Sequence, residues 1–513
     1  MPEPINIYQS YTVEELEKML NSQYWVDRSN AIVYIQQKHL EEFTEKIFNL
    51  LQKDPSSSVR QISALTLGDF QYKKAIPIIL YLIKNPQLNS NEAIDINFLI
   101  DAISKFKDFS SIKEILFLLD DEDLTKRLKI VKLLEETSNL FTSNQKMELG
   151  KIVLDNAIKN QNSDKARTYA MALGRLNYQP SETYLIQLLK NQKELENTKA
   201  AAILALGKIK SKHSIPLLFD FLKQYPSKVS ENSYLALKEM KDTSAIDPSF
   251  ALLEKEKLEI QLLLVDILSE IPHESVKEKA YALFIKKDTR TIVALSLLLG
   301  KLKYTKATKE IEEILKNKSI ENREILAQSL GWMQDKSAIP TLIEVLQEKE
   351  GDGRYGAAWS LGILEAKEAL PYLLKTAKST DQKLSILSVE ALGHLKDPKS
   401  LEVLEDLLDN KNLQIYAIES ITYTPGKESL KLLKKYAQKE GEVSYLAIEG
   451  LSKRDEKEVI EILIEILRKT DTEDIKAKLL YKALQRKTKK DYITKNQWLE
   501  WYQLDGKNQK ETQ

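Results

Sequence analysis

Apolar positions recur along this chain on two scales. Within a segment they fall at helical spacing, as in AIPTLIEVLQE from Ala338, which places them on one stripe of a helix. Across segments the stripe itself returns. The pairs Leu330-Gly331, Leu361-Gly362 and Leu392-Gly393 stand 31 residues apart, and an apolar residue follows two places after each glycine (Met333, Leu364, Leu395). Nine places after the first two glycines stands a proline, Pro340 and Pro371. A unit this short cannot bury its own apolar face, so a fixed period predicts stacked units sharing one continuous core.

Carried outward from Gly331, the register reaches Gly300, Ser269, Lys238, Gly207, Gly174, Glu135, Ser104, Gly68 and Gln36 on one side, and Thr422 and Leu451 on the other. The preceding residue stays apolar (Leu67, Ile103, Leu134, Leu173, Leu206, Leu237, Leu268, Leu299, Ile421). The repeat thus survives the loss of its glycine, and the apolar lattice defines it. Because Ser and Lys stand in for the glycine, that position is expected to allow close helix approach rather than a left-handed turn. Each unit reads as two helices, for example 324–331 and 337–348. Asp335 and Asp397 are expected N-caps, and Pro398 suits a first helical position. Pro77, Pro216, Pro340 and Pro371 are expected to begin a helix or kink its first turn.

Tetratricopeptide and ankyrin units have similar periods, but their tryptophan–tyrosine and T-P-L-H signatures are missing. The segments VRQISALTLGDFQYKKAIPIILYLI from Val59, TKAAAILALGKIKSKHSIPLLFDFL from Thr198 and NREILAQSLGWMQDKSAIPTLIEVL from Asn322 resemble the HEAT family. The resemblance is to its short variant in phycobilisome-lyase-like proteins, whose unit reads roughly D-x-x-V-R-x-x-A-x-x-A-L-G-x-L-x-D-x-x-A-I-P-x-L-x-x-L-L. It covers residues 20–486 and implies an all-α, right-handed α-solenoid (superhelix) of about fourteen helical hairpins of ~31 residues. The segment from Ala483 resembles the closing segment of many bacterial HEAT proteins. Thr488, Asp491, Tyr492, Trp498, Trp501 and Tyr502 match it, while Lys489 replaces a glycine. Two tryptophans at i and i+3 read as a cover for the open apolar end of the last unit. The expected divisions are an N-terminal segment or cap (1–19), the array (20–486), an aromatic cap (487–504) and a disordered tail (505–513).

The chain's 513 residues exceed what one globular core usually holds, a limit that a repeat array escapes. Lys+Arg and Asp+Glu both number 76, and this neutral balance argues against a nucleic-acid partner. The lysine-rich stretches 427–439 and 487–490 read as solvated helix surface. Cysteine is absent, which excludes disulfides, thiolate metal sites and cysteine nucleophiles. The N-terminus has no basic region followed by an apolar core, and no apolar run approaches the roughly 18 residues of a membrane span. A soluble, cytoplasmic monomer with no membrane association is expected.

Catalytic motifs are weak. The four histidines, His39, His213, His273 and His394, never pair at i, i+3 or i+4, so no helix presents two of them to a metal. HEAT-fold deoxyhypusine hydroxylases hold two irons through repeated His-Glu dyads, and this chain has the single dyad His273-Glu274. Gly351-Asp352-Gly353-Arg354-Tyr355-Gly356 spells G-x-G-x-x-G, but a helix rather than a strand precedes it, so it reads as a turn between helices. For a glycosylase, Trp359, Tyr355 and Asp266 are the available members. No catalytic residue, cofactor or metal ligand is assigned.

The stronger signal lies three places before the register residue, a position usually charged or polar in HEAT arrays, whose second helices line the concave side. Here it reads Leu204, Leu235, Asp266, Leu297, Gln328, Trp359 and Glu390, with Leu262, Val293, Tyr355 and Ile386 four places earlier on the same face. Leu204, Leu235, Leu262, Val293, Leu297, Tyr355, Trp359 and Ile386 are therefore candidates for an apolar ridge that binds a protein partner, with Tyr355 and Trp359 as its aromatic anchor. The bland alternative packs these side chains between neighbouring helices. The resemblance implies a non-catalytic scaffold or adaptor. The alternatives are an enzyme-assisting or chaperone role like that of the lyase-like relatives, and a nucleic-acid-binding HEAT protein.

Overall fold

The structure is a computed structural model that describes residues 11–86, 93–160 and 163–506. Among these residues stand 31 α-helices and no strand, so the chain is an all-α solenoid. It divides into two compact units, Met1–Ser249 and Phe250–Gln513. Residues 1–10 of the expected N-terminal segment, and the tail from 507 on, lie outside the described residues. The backbone of residues 502–506 forms a π-helical turn, Tyr502–Gly506.

One recipe serves most of the hairpins, and the hairpin that opens at Lys336 shows it. Its first helix starts from a 3-10 turn, as Lys336–Ala338 leads into Ile339–Leu346. Asp335 accepts a hydrogen bond from the Ser337 amide at 3.0 Å, and Asp397 accepts one from the Lys399 amide at 2.9 Å, so both act as caps. Pro77, Pro216, Pro340 and Pro371 all sit in the first two positions of their α-helices, where a missing N–H removes no helical bond. They begin helices rather than kink them. The second helix of the hairpin before it runs Arg323–Met333, two residues longer at its end than the sequence reading.

Second helices stack on second helices. In the first unit Ser163–Arg175, Glu196–Lys208 and Lys228–Met240 pack in succession. In the second unit the series is Ile292–Lys301, Arg323–Met333, Gly353–Ile363, Gln382–Leu395 and Gln414–Tyr423. The register glycines mark where these helices come closest. A Cβ on Gly207 would sit 2.8 Å from the Ala236 Cα, and one on Gly362 would sit 2.8 Å from the Ala391 Cα. Both neighbours are backbone and cannot swing aside. The left-handed residue lies three places later and is never glycine: Gln71, Asn177, Lys210, Lys303, Gln334, Glu365 and Lys396 all have φ between +50° and +59°. It ends the second helix and reverses the chain into the next hairpin.

In four repeats the side chain eight places before the register residue is polar and hooks back onto the preceding helix. Arg60 donates from Nε to the Leu51 carbonyl at 2.9 Å, Gln261 to the Leu253 carbonyl at 2.9 Å, and Ser385 to the Ala377 carbonyl at 2.5 Å. Arg323 reaches the Leu315 carbonyl at 2.8 Å and forks onto both oxygens of Glu348 at 2.7 and 2.8 Å. These bonds satisfy carbonyls that a helix C-terminus leaves open. At the far end, the helix Lys495–Trp501 packs on Glu458–Lys469 and Ile475–Thr488. Trp498 is fully buried there, its indole N–H donating to the Tyr492 carbonyl at 3.1 Å, with the Trp501 ring edge-on at 5.7 Å.

Candidate partner-binding surface

The ridge candidates do not share one environment. In the first unit, Leu204 and Leu235 stand on successive stacked helices and are 39% and 50% exposed. In the second unit, Leu262, Leu297, Tyr355, Trp359 and Ile386 are half-buried. Val293 corrects the expected stripe: it is only 8% exposed. Its helix, IVALSLLLGK, is buried all round from Ile292 to Ser296, so its first turn belongs to the core and offers no free face.

Tyr355 is tied into a network. Its hydroxyl donates to Asp381 Oδ2 at 2.8 Å, and Asp381 also caps the helix Gln382–Leu395 through the Leu384 amide at 3.2 Å. Burial works to raise the Asp381 carboxyl. The hydrogen bonds from Tyr355 and Leu384, with the Arg354 charge, outweigh it and hold the group below the usual carboxylate range. The Lys383 ammonium lies 4.5 Å from the Tyr355 ring centroid and pairs with Glu324 at 2.6 Å. Tyr355 therefore braces two helices.

Trp359 has a different partner. Its ring centroid lies 5.4 Å from that of Trp332 on the preceding second helix, and Trp332 is 42% exposed. Sequence reasoning missed Trp332, although the column one place after the register residue carries the signal. That column is charged at Asp69, Lys105, Lys208, Glu239 and Lys301 and turns uncharged or aromatic at Ile363 and Tyr423; two pairs within it bridge neighbouring helices, Lys105 with Asp69, and Lys208 with Glu239 at 2.6 Å. Trp332 breaks the ladder. Lys301, paired with Asp266 at 2.5 Å, lies 5.5 Å from the Trp332 ring, a cation–π contact in place of the next ion pair.

Beyond Trp359 opens a cavity of about 550 Å³. Trp359 lines it from one helix, Glu390 and His394 from the next, and Tyr416, Glu419 and Tyr423 from the third. Burial pushes the Glu390 carboxyl up, and the like charge of Glu419 adds to this against the pull of His394.

The remaining candidates for chemistry have structural posts. His273 caps the helix Glu274–Phe284, accepting from the Ser275 amide at 3.2 Å, and the His213 ring contacts Glu182 at 3.3 Å. In the 351–356 motif, a Cβ on Gly356 would run into the Glu324 carbonyl, so that glycine serves helix packing. Lys431, Lys434 and Lys435 of the lysine-rich stretch pair with Glu428, Glu465 and Glu405. Among the described residues, no group of three or more His, Asp or Glu side chains is placed to hold a metal, and no helix is long and apolar enough to cross a membrane.

A model of HEAT repeats matches residues 151–238, 286–362 and 342–413. These segments are HEAT repeats. The Trp332–Trp359 contact lies within them. Among solved structures, the chain is similar to yeast importin-beta (Kap95p), with 12% identity over 92% of this chain and 66% of that one, at a TM-score of 0.50. A crystal structure of importin beta gives 13% identity over 92% and 74% at a TM-score of 0.40. A Kap121p mutant gives 13% over 92% and 56% at 0.42. At such identity the likeness to Kap95p speaks of the fold alone: a helical solenoid. No curated protein matches the chain.

Proposed function

We propose that the chain is a non-catalytic scaffold that holds a protein partner on the exposed stripe of its second helices, with Trp332 and Trp359 as the principal contact. The supporting observation is the tilted, part-exposed tryptophan pair, standing in a column where several earlier repeats carry charges that pair across helices. Large aromatic rings supply contact area at small entropic cost and dominate binding energy when a partner covers them. A scaffold role also fits histidines employed at caps and turns. On the same reading the repeats are of the short, phycobilisome-lyase-like kind, and Trp498 with Trp501 closes the end of the array.

The test is site-specific crosslinking. A photoreactive residue at Trp332 is expected to capture a discrete protein from native lysate, whereas the same residue at the exposed Glu313, on the helix Thr308–Lys316, is not. Identical crosslinking patterns from the two positions would refute the assignment.

A further inference from the structure

We propose that the cavity beside Trp359 receives an arginine or lysine side chain from a basic segment of the partner; this rests on the scaffold reading and names the chemistry of what is bound. Three aromatic rings, Trp359, Tyr416 and Tyr423, and two carboxylates, Glu390 and Glu419, line a space of about 550 Å³. That composition favours a cation on two counts. Ring faces attract positive charge through their quadrupole, and a carboxylate beside them supplies a charge-assisted hydrogen bond.

The carboxylates are also poorly satisfied within the chain. Glu419 has only the long contact from the Tyr423 hydroxyl, at 3.5 Å. Glu390, exposed on its helix as Glu419 is on the next, stands near that second carboxylate, with His394 as its favourable neighbour. Elsewhere on this surface acidic groups are neutralised by lysines one repeat away, as Asp69 is by Lys105 and Asp266 by Lys301. Lys396, the left-handed residue ending the Glu390 helix, also lines the cavity, so two carboxylates face one ammonium and an acidic excess remains. An incoming guanidinium would take the place that a cross-repeat lysine fills in those repeats. Arginine suits it better than lysine because its planar fork stacks on aromatic faces and serves two carboxylates at once.

The experiment uses the full chain and a fluorescein-labelled Gly-Ser peptide bearing isolated arginines, read by anisotropy. A citrulline peptide of the same length is the uncharged isostere. The arginine peptide is expected to bind at least about tenfold more tightly than the citrulline one. Glu390→Gln with Glu419→Gln should weaken it about tenfold, while Glu312→Gln with Glu313→Gln, which removes the same charge from another helix, should change it less than about twofold. Equal weakening by both variant pairs, or equal binding of citrulline, overturns the proposal. If the wild-type chain captures a protein at Trp332 but binds the arginine peptide no better than the citrulline one, the cavity assignment falls and the scaffold stands. If the arginine peptide binds through the two glutamates while nothing crosslinks at Trp332, the reverse holds.

Discussion

Replacing Arg323 with alanine tests how the stack is held. Arg323 is 3% exposed and makes three donations: one to the Leu315 carbonyl at the end of the preceding helix and two to the Glu348 carboxylate. Arg323→Ala removes all three. It leaves Glu348, itself largely buried, as an uncompensated charge, and leaves the Leu315 carbonyl open. Breaking a buried pair from one side typically destabilises by about 3–5 kcal/mol, because the stranded ion loses its compensation. An exposed pair serves as the comparison. Lys431 and Glu428 are both mostly solvated, and Lys431→Ala should shift stability by less than about 0.5 kcal/mol.

Solenoid stability is a sum of neighbouring terms, so the loss should be local. Hydrogen exchange is the assay: amides of the helices Thr308–Lys316 and Arg323–Met333 should lose protection well before those of Ile475–Thr488. The pH dependence gives a second, signed check. The hydrogen bonds from Arg323 hold the Glu348 carboxyl below its ordinary value, so the pair's contribution is present above the ordinary carboxylate value of about 4.3 and is lost as pH falls through the lowered one. In the variant, Glu348 can escape its burial by taking up a proton. The stability gap between wild type and variant should therefore narrow from pH ~7 to pH ~3. A loss under about 1 kcal/mol, or a gap that widens in acid, would refute the argument.

Two smaller predictions concern the register. Gly207→Ala adds a methyl 2.8 Å from both the Cα and Cβ of Ala236, so despite alanine's helix propensity it should destabilise by about 1–3 kcal/mol; a raised thermal midpoint would contradict this. Glu365→Gly relieves a left-handed residue at φ +50° and should stabilise by about 0.5–1 kcal/mol, read as a higher urea midpoint, and a lower midpoint would count against the strain argument.

How much of this was readable in advance depends on the range of the interactions involved. The caps at Asp335 and Asp397, the helix-starting prolines and the glycine's role all follow from a few residues of local sequence, and the structure places them as expected. The left-handed position three places past the glycine was not legible, because propensity looks for glycine there and the chain uses Gln, Asn, Lys or Glu. Val293 was misplaced for a different reason. A helix apolar all round gives no period from which to choose the exposed face, and neighbours on every side decide it.

The tryptophan pair and the cavity needed knowledge of which columns meet between helices. Trp332 stands one place after the register residue and Trp359 three places before it in the next repeat, and nothing in the period says that these columns touch. The close approach at Gly331 brings them together. A Cβ there would meet the Trp359 ring at Cζ3, 2.9 Å away, so the ring lies over the bare glycine and leans toward Trp332. A side chain on Gly331 would displace that ring as well as the helices, so the residue that best marks the repeat is also the one that shapes its candidate contact.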